Sequence, residues 1–481
     1  MTTIRVRFAP SPTGYLHVGG LRTALYNFLF ARKSGGTLIL RIEDTDRARH
    51  VEGALENLIE TLRWAGLDYD EGPGEEGSVG PYIQSERVSL YREHAERLVR
   101  EGKAYYAFDT AEELAEMRRE QEHGGRFPKY DRRALKLSPD DVEAKLERGV
   151  PAVIRMRIPD ATTVLVEDLI RGHVRFSTEQ LDDQVLLKSD GYPTYHLANV
   201  VDDHMMGVSH VIRGEEWLSS TPKHVLLYRF LGWDLPAFAH LPLLLNPDRS
   251  KLSKRQGDVA VEEYRARGFL PEALVNFVAL LGWNPGDDRE IFTMEELIGE
   301  FSLDRVGKSG AVFDIEKLRW MNTQHLRLKT DEELLAMARP LFEASFPGMF
   351  DDTYFLAVIR LLKERAERVE DFLSLGSYFF KDPETYDEAS RKKNWTLDAS
   401  TRLRDIRTQL EKLHPFTHSS IETAIRGAAD RYGLGAGKLI HPLRLALTGA
   451  GHGPGLFELM EVLGREKCIR RIDRALESLP V

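Results

Sequence analysis

The first forty residues constrain the fold most. Ile4-Arg5-Val6-Arg7-Phe8-Ala9 alternates as a strand, Pro10-Ser11-Pro12-Thr13-Gly14 breaks it, and a helical run follows from about Leu21 to Lys33. Gly35-Gly36 stops that helix, and Thr37-Leu38-Ile39-Leu40-Arg41-Ile42 reads as a second strand. Strand, helix and strand in this order predict a parallel sheet with right-handed crossovers.

The rhythm loosens from about residue 80 to 180. Helical stretches at 85–102, 110–122 and 138–148 mix with strand candidates near 153–157 and 173–176. It then returns, with a strand at Gln184–Lys188, a helix from Tyr195 to Met206, a strand at His210–Arg213, a helix after Trp217 and a strand at Phe238–Leu241. This reads as two halves of one nucleotide fold, with an insertion of about 100 residues between them. From about 245 onward nearly everything has helical periodicity. The 481 residues are too many for one core and predict three to five structural units.

Composition removes several classes. No apolar run approaches the ~18 residues that span a bilayer. The N-terminus opens on a strand rather than a leader, so a cytoplasmic chain is expected. The single cysteine, Cys468, excludes an intramolecular disulfide and a multi-cysteine zinc site. The net charge of −10 argues against a general nucleic-acid coat protein, though not against a specific RNA binder. Residues 323–481 hold 24 basic and 24 acidic side chains, so the whole deficit lies in 1–322. Clusters such as Arg391-Lys392-Lys393 and Arg402/Arg404/Arg407 are either a basic face or solvated helix surface.

Two loops carry the chemistry. Residues 8–20 join the first strand to the first helix, where ligands of open α/β sheets bind. A helix N-terminus offers N–H groups and a positive dipole end to phosphate. Gly19 and Gly20 permit close approach, and His17 is a donor for a phosphate or nucleotide. The plainer reading is a tight turn with a surface histidine. The second loop, Lys251-Leu252-Ser253-Lys254-Arg255, lies between turn residues and places three cations in five positions. Such cations stabilise charge that builds on leaving phosphates. A solvated basic turn is the competing reading.

Together the loops resemble the paired signatures of class I aminoacyl-tRNA synthetases. His17-Val18-Gly19-Gly20 is similar to the HIGH signature and Lys251–Arg255 to the KMSKS signature. Arg7–Gly14, Arg41-Ile42-Glu43-Asp44-Thr45-Asp46, Tyr192–Asn199 and Gly214-Glu215-Glu216-Trp217 resemble bacterial-type glutamyl-tRNA synthetases, over the whole chain. The resemblance implies an α/β fold: a split Rossmann-type catalytic domain at 1–80 and 181–245, with an α/β insertion at 81–180 that binds the acceptor end. A stem-contact helical domain at 246–322 and an all-helical anticodon-binding region at 323–481 follow.

The resemblance also implies roles. His17, Lys251 and Lys254 are the catalytic candidates. Arg7, Ser11, Glu43, Tyr195, Asn199 and Arg213 bind glutamate, with the arginine fork of Arg213 reading the side-chain carboxylate bidentately and Glu43 accepting from the α-ammonium group. Pro10, Gly19, Gly20, Glu216, Trp217, Leu252, Ser253 and Arg255 border ATP. For Trp217 core packing is the competing reading, and for Arg7 and Arg213 a strand-end surface position. Arg365 falls in the Leu361–Phe372 stretch that relatives use on the last anticodon base.

ATP and Mg²⁺ are implied, as are L-glutamate, tRNA(Glu) and a monomeric state. Whether tRNA(Gln) is also charged stays open. Two positions depart from the general signatures. Gly20 stands where many relatives have a second histidine, and Arg255 where they have serine. Some relatives bind zinc in the insertion. Here the matching stretch is Ala104–Phe108 without partner cysteines, so no zinc is expected. The alternatives are a related adenylyl-forming ligase or nucleotidyltransferase sharing only the first loop and a non-catalytic RNA-binding paralogue.

Overall fold

A computed structural model describes residues 3–46, 49, 51–125, 128–252, 260–348 and 351–479. The chain divides into two compact units, one of residues 1–267 and 271–317, the other of 268–270 and 318–481.

The first unit begins with strand β1 (Arg5–Phe8), helix α1 (Val18–Lys33) and strand β2 (Thr37–Leu40). β1 and β2 pair in parallel, Arg5 opposite Thr37 and Phe8 opposite Leu40. Val6, Leu38, Ile39 and Leu40 are buried, as are Leu21, Leu25 and Leu29 of α1. α1 starts three residues earlier than its apolar pattern predicts, because His17 caps it. Arg32 and Lys33 in its last turn complement the dipole.

Helices α2 (Ala54–Trp64) and α3 (Val88–Arg100) lead into strand β3 (Ala104–Ala107). Helices α4 (Ala111–His123) and α5 (Pro139–Glu147) start from capping boxes at Thr110/Glu113 and Ser138/Asp141. β4 (Val153–Met156) joins β3 to β7 (Val185–Leu187) in an antiparallel sheet. β5 (Thr163–Asp168) and β6 (Gly172–Ser177) form a hairpin.

Helix α6 (Tyr195–Met205), strand β8 (His210–Gly214), helix α7 (Thr221–Leu231) and strand β9 (Ala237–Leu241) complete the second half. Its sheet runs β6-β5-β9-β8, with β8 and β9 parallel and Arg213 opposite His240. The β5–β6 hairpin of the expected insertion is therefore part of this sheet. No local pattern carried that connection, because β5 meets β9 in parallel at a single registered pair, Asp168 and Phe238. The halves meet at Ser209, whose backbone N–H donates to the Arg5 carbonyl at 2.9 Å while its Oγ accepts the Arg5 N–H at 2.9 Å. A short parallel pair, Leu244–Leu245 with Ala311–Val312, breaks the helical periodicity expected after 245.

The second unit is helical, its segments running from Leu318 through Asp331–Ser345 and Leu397–Lys412 to Arg465–Ser478. Its basic clusters carry local acidic partners. Arg402 pairs with Asp398, Arg391 with Glu388, and Arg407 with Asp473 and Glu411. Among the described residues no helix is long and apolar enough to cross a membrane.

Candidate active site

A cleft of about 890 Å³ opens at the carboxyl ends of β1, β2 and β8. It brings together predicted residues from five separate stretches. Arg7, Pro10, Ser11, His17, Gly19 and Gly20 line it from the first strand and loop. Glu43 follows β2, Tyr195 and Asn199 come from α6, and Arg213, Glu216 and Trp217 from the end of β8. Lys251 and Leu252 reach its wall from a turn in which the Asn246 N–H donates to the Ser250 carbonyl and the Leu252 N–H to Leu244. Ser253, Lys254 and Arg255 lie outside the described residues. Arg365 belongs to the second unit, exposed just after the Asp352–Leu362 helix.

One end of the cleft is a ladder of buried charge. Arg7 Nε donates to Asp203 Oδ1 at 3.0 Å. Arg41 Nη1 donates to the same oxygen at 2.6 Å, and Arg41 Nη2 to Glu43 Oε1 at 3.0 Å. Burial pushes the Glu43 carboxyl above the usual range against the pull of Arg41 and Arg7. At Asp203 burial also acts upward, but the two guanidiniums outweigh it and hold the group low. Sequence patterning missed Asp203, which sits mid-helix in α6 and becomes visible only through Arg7. It missed Gln84 as well. Gln84 Nε2 donates to buried Asp202 at 2.9 Å, which leaves its amide oxygen buried without a partner on the cleft wall. Asn199 presents an equally orphaned amide nitrogen there. Buried polar atoms without partners mark places where a ligand is expected to supply the bond.

Arg213 stands at the end of β8 but is buried, not a surface position. Its Nε donates to His240 Nε2 at 3.1 Å and its Nη1 to Tyr195 Oη at 3.0 Å. Nη2 donates to Thr221 Oγ1 at 3.0 Å and His224 Nδ1 at 3.2 Å. Arginine has five N–H donors, so one on Nη1 remains for a ligand. The expected bidentate fork on Arg213 is corrected accordingly: the protein has already taken the other donors. Because Tyr195 accepts from Arg213, its own hydroxyl proton is directed elsewhere. The Tyr195 and Trp217 rings lie 4.1 Å apart at 31°, so Trp217 packs against the site while lining it.

His17 Nδ1 accepts the Gly20 N–H at 3.0 Å. The neutral ring therefore carries its proton on Nε2, which makes that nitrogen the donor. Gly20 lines the cleft while its N–H serves this cap. What the two glycines supply is space. A Cβ on Gly19 would sit 3.1 Å from the His17 ring, and one on Gly20 2.7 Å from Leu16 Cδ1. Among the described residues no group of three or more His, Cys, Asp or Glu side chains is arranged to hold a metal.

The catalytic-domain profile described as "tRNA synthetases class I (E and Q)" matches residues 3–320, and an anticodon-binding-domain profile matches 333–476. The chain belongs to the class I tRNA synthetases. Within that family it is similar to the glutamate–tRNA ligase of Chloroherpeton thalassium, 53% identical over 99% of this chain and 98% of that protein. The glutamate–tRNA ligase of Chlorobium chlorochromatii is 51% identical over the same shares. A solved glutamate tRNA ligase from Elizabethkingia meningosepticum, in complex with its amino acid, superposes with a TM-score of 0.95 at 43% identity, covering 99% of this chain and 100% of that one. The class I synthetase architecture, a Rossmann-like α/β catalytic part followed by a helical anticodon-binding part, is thus the architecture of this chain.

Proposed function

We propose that this chain is a glutamate–tRNA ligase that joins glutamate to the 3′ end of tRNA(Glu) through glutamyl-adenylate, using ATP and releasing AMP and pyrophosphate. The observation that carries the reading is the set of uncommitted groups in one cleft: the last Arg213 N–H, the Tyr195 hydroxyl, and the orphaned amide of Asn199.

The glutamate side-chain carboxylate takes the Arg213 N–H and the Tyr195 hydroxyl proton, two donors held 3.0 Å apart. Arg7 is the second guanidinium, fixed through Nε by Asp203, and serves the other carboxylate. Glu43, with Ser11 and Asn199 beside it, accepts from the α-ammonium group. The α-carboxylate then attacks the α-phosphate of ATP. His17 Nε2 donates to the nucleotide phosphates, while Pro10, Gly19, Glu216, Trp217 and Leu252 border ATP. Lys251 reaches the leaving phosphates, joined in the reading by Lys254, Ser253 and Arg255. Mg²⁺ would accompany the ATP phosphates and offset their charge. Catalysis rests on positioning and charge stabilisation, with no covalent enzyme intermediate.

Residues 81–180 are assigned to the acceptor end, 246–322 to the inner bend of the tRNA, and 323–481 to the anticodon, with Arg365 at the last base. The chain acts as a cytoplasmic monomer in this reading, and tRNA binding precedes glutamate activation. The test is ATP–pyrophosphate exchange with and without tRNA, followed by glutamate charging of tRNA(Glu) and tRNA(Gln). Exchange and charging that require tRNA(Glu) support the reading. Charging of both tRNAs keeps the chemistry and moves specificity elsewhere, and no charging of either sinks the proposal in favour of an RNA-binding paralogue.

A further inference from the structure

Three of the buried arginines around the site are held by carboxylates: Arg7 and Arg41 share Asp203, and Arg87 donates to Asp202 at 2.7 Å. Arg22, on the cleft wall, donates instead to the backbone carbonyls of Leu281 and Pro242. Arg213 too meets no carboxylate. Its four acceptors, Tyr195, Thr221, His224 and His240, are neutral groups. Guanidinium cannot accept, so both imidazoles meet it through an unprotonated nitrogen. Burial, with Arg213 itself adding repulsion, holds both rings below the usual histidine range. The nearest acid in this chain of bonds, Asp168, stands one residue back, accepting His240 Nδ1–H at 2.6 Å. That bond fixes the tautomer which turns Nε2 toward Arg213.

Strand register makes the arrangement. Arg213 and His240 are directly opposite in the β8–β9 pair. Asp168 reaches them from β5, the strand that also pairs with β9. The Asp168 carboxylate is further occupied by the backbone N–H groups of Ile170 at 3.0 Å, Arg171 at 2.7 Å and His240 at 3.1 Å. Its charge is satisfied without touching Arg213.

We propose that His240, oriented by Asp168, is a specificity-determining positioning residue that locks the Arg213 guanidinium with an uncharged acceptor and so keeps its charge for the substrate. The inference rests on the reading of Arg213 as the side-chain carboxylate partner. A buried cation without a counter-ion among the described residues is repaid by glutamate, which brings a charge, and not by glutamine, which is nearly isosteric and neutral. A carboxylate in place of the imidazole would hold the guanidinium equally well and erase that difference.

The experiment measures KM and kcat for glutamate, KM for ATP, and the glutamate-to-glutamine ratio of kcat/KM, all with full-length protein and tRNA(Glu). The decisive pair is His240→Gln, which keeps a neutral acceptor, and Asp168→Asn/His240→Glu, which moves the carboxylate onto Arg213 at constant net charge. We expect His240→Gln to stay within about threefold of the parent, since it preserves the bond. In the double variant the glutamate KM rises at least about tenfold and the ratio over glutamine falls by a similar factor, with ATP KM unchanged. His240→Leu, which removes the acceptor, raises the glutamate KM with little change in kcat. A double variant that folds and keeps the parent ratio overturns the proposal, as does a His240→Gln protein that fails to fold or loses discrimination. Arg213→Gln separates the two levels. If it leaves the glutamate KM unchanged, the reading of Arg213 itself fails. If it raises that KM while every His240 variant behaves like the parent, only the present inference fails.

Discussion

The imidazole of His17 and the backbone N–H of Gly20 are bonded to each other at 3.0 Å, so one ring caps helix α1 with Nδ1 and turns Nε2 outward as a donor. Replacement by asparagine separates the two jobs. His17→Ala is expected to lose ~1 kcal/mol of stability with the cap. It should also lose about a hundredfold in pyrophosphate exchange with the donor. His17→Asn should restore the melting temperature and leave the exchange rate low. Recovery of both in the asparagine variant would mean that the ring acts only as a cap.

Gly19→Ala tests the space beside that ring. The substitution favours helix by roughly 1 kcal/mol. Its methyl would stand 3.1 Å from His17 Cε1 and Nδ1. The expected result is an unchanged or raised melting temperature with a lower kcat. A variant with parental kcat would show that the ring has room to move without consequence.

Buried His224 and His240 and partly buried His196 are expected to weaken the fold in acid. Burial lowers His196 to about 3, and lowers His224 and His240 below the ordinary value. The unfolded chain takes up protons near pH 6.5 that the folded chain refuses. Stability from these groups is therefore present above pH 6.5 and falls as the pH drops toward each folded value, by about 1.4 kcal/mol per pH unit for each fully titrating ring. Urea melts between pH 7.5 and 5 should show this slope, and His196→Asn should make it shallower by one proton. An unchanged slope in that variant would assign the acid loss to other groups.

Asp202 gathers three side-chain donors behind the cleft. It is fully buried and accepts from Gln84 at 2.9 Å, Arg87 at 2.7 Å and Tyr91 at 2.8 Å. Asp202→Ala leaves Arg87 without its acid and is expected to cost about 3–5 kcal/mol. A urea melt of the variant checks this. A loss below about 1 kcal/mol would mean that Asp203 takes up the released donors.

The parts of the site that lie in unbroken local patterns were legible in the sequence. A strand, a Pro/Gly loop and a helix place Arg7, Ser11 and His17 together by geometry alone, and the parallel sheet followed from element order. The start of α1 was misplaced because histidine is an uncommon cap and Val18-Gly19-Gly20 carries a weak helical signal. Asp168, His240, Gln84 and Asp203 were not legible. Asp168 is 72 residues from the histidine it orients, and Gln84 is 118 from the acid it touches. No spacing rule links such pairs, which only the β5–β9 pairing and the packing of α6 bring together. The competing reading of the basic clusters after 390 gains weight from their acidic partners on the same or neighbouring helices.

The shared sheet of β5, β9 and β8 limits how this enzyme can be rebuilt. A chimera that exchanges residues 81–180 for those of a relative would also exchange Asp168, and with it the hold on His240 and Arg213. With the roles proposed for residues 81–180 and for His240, grafting intended to change which RNA is bound would then alter which amino acid is accepted. A crossover that spares the β5–β6 hairpin avoids this, so the useful seam lies inside the inserted stretch rather than at its ends.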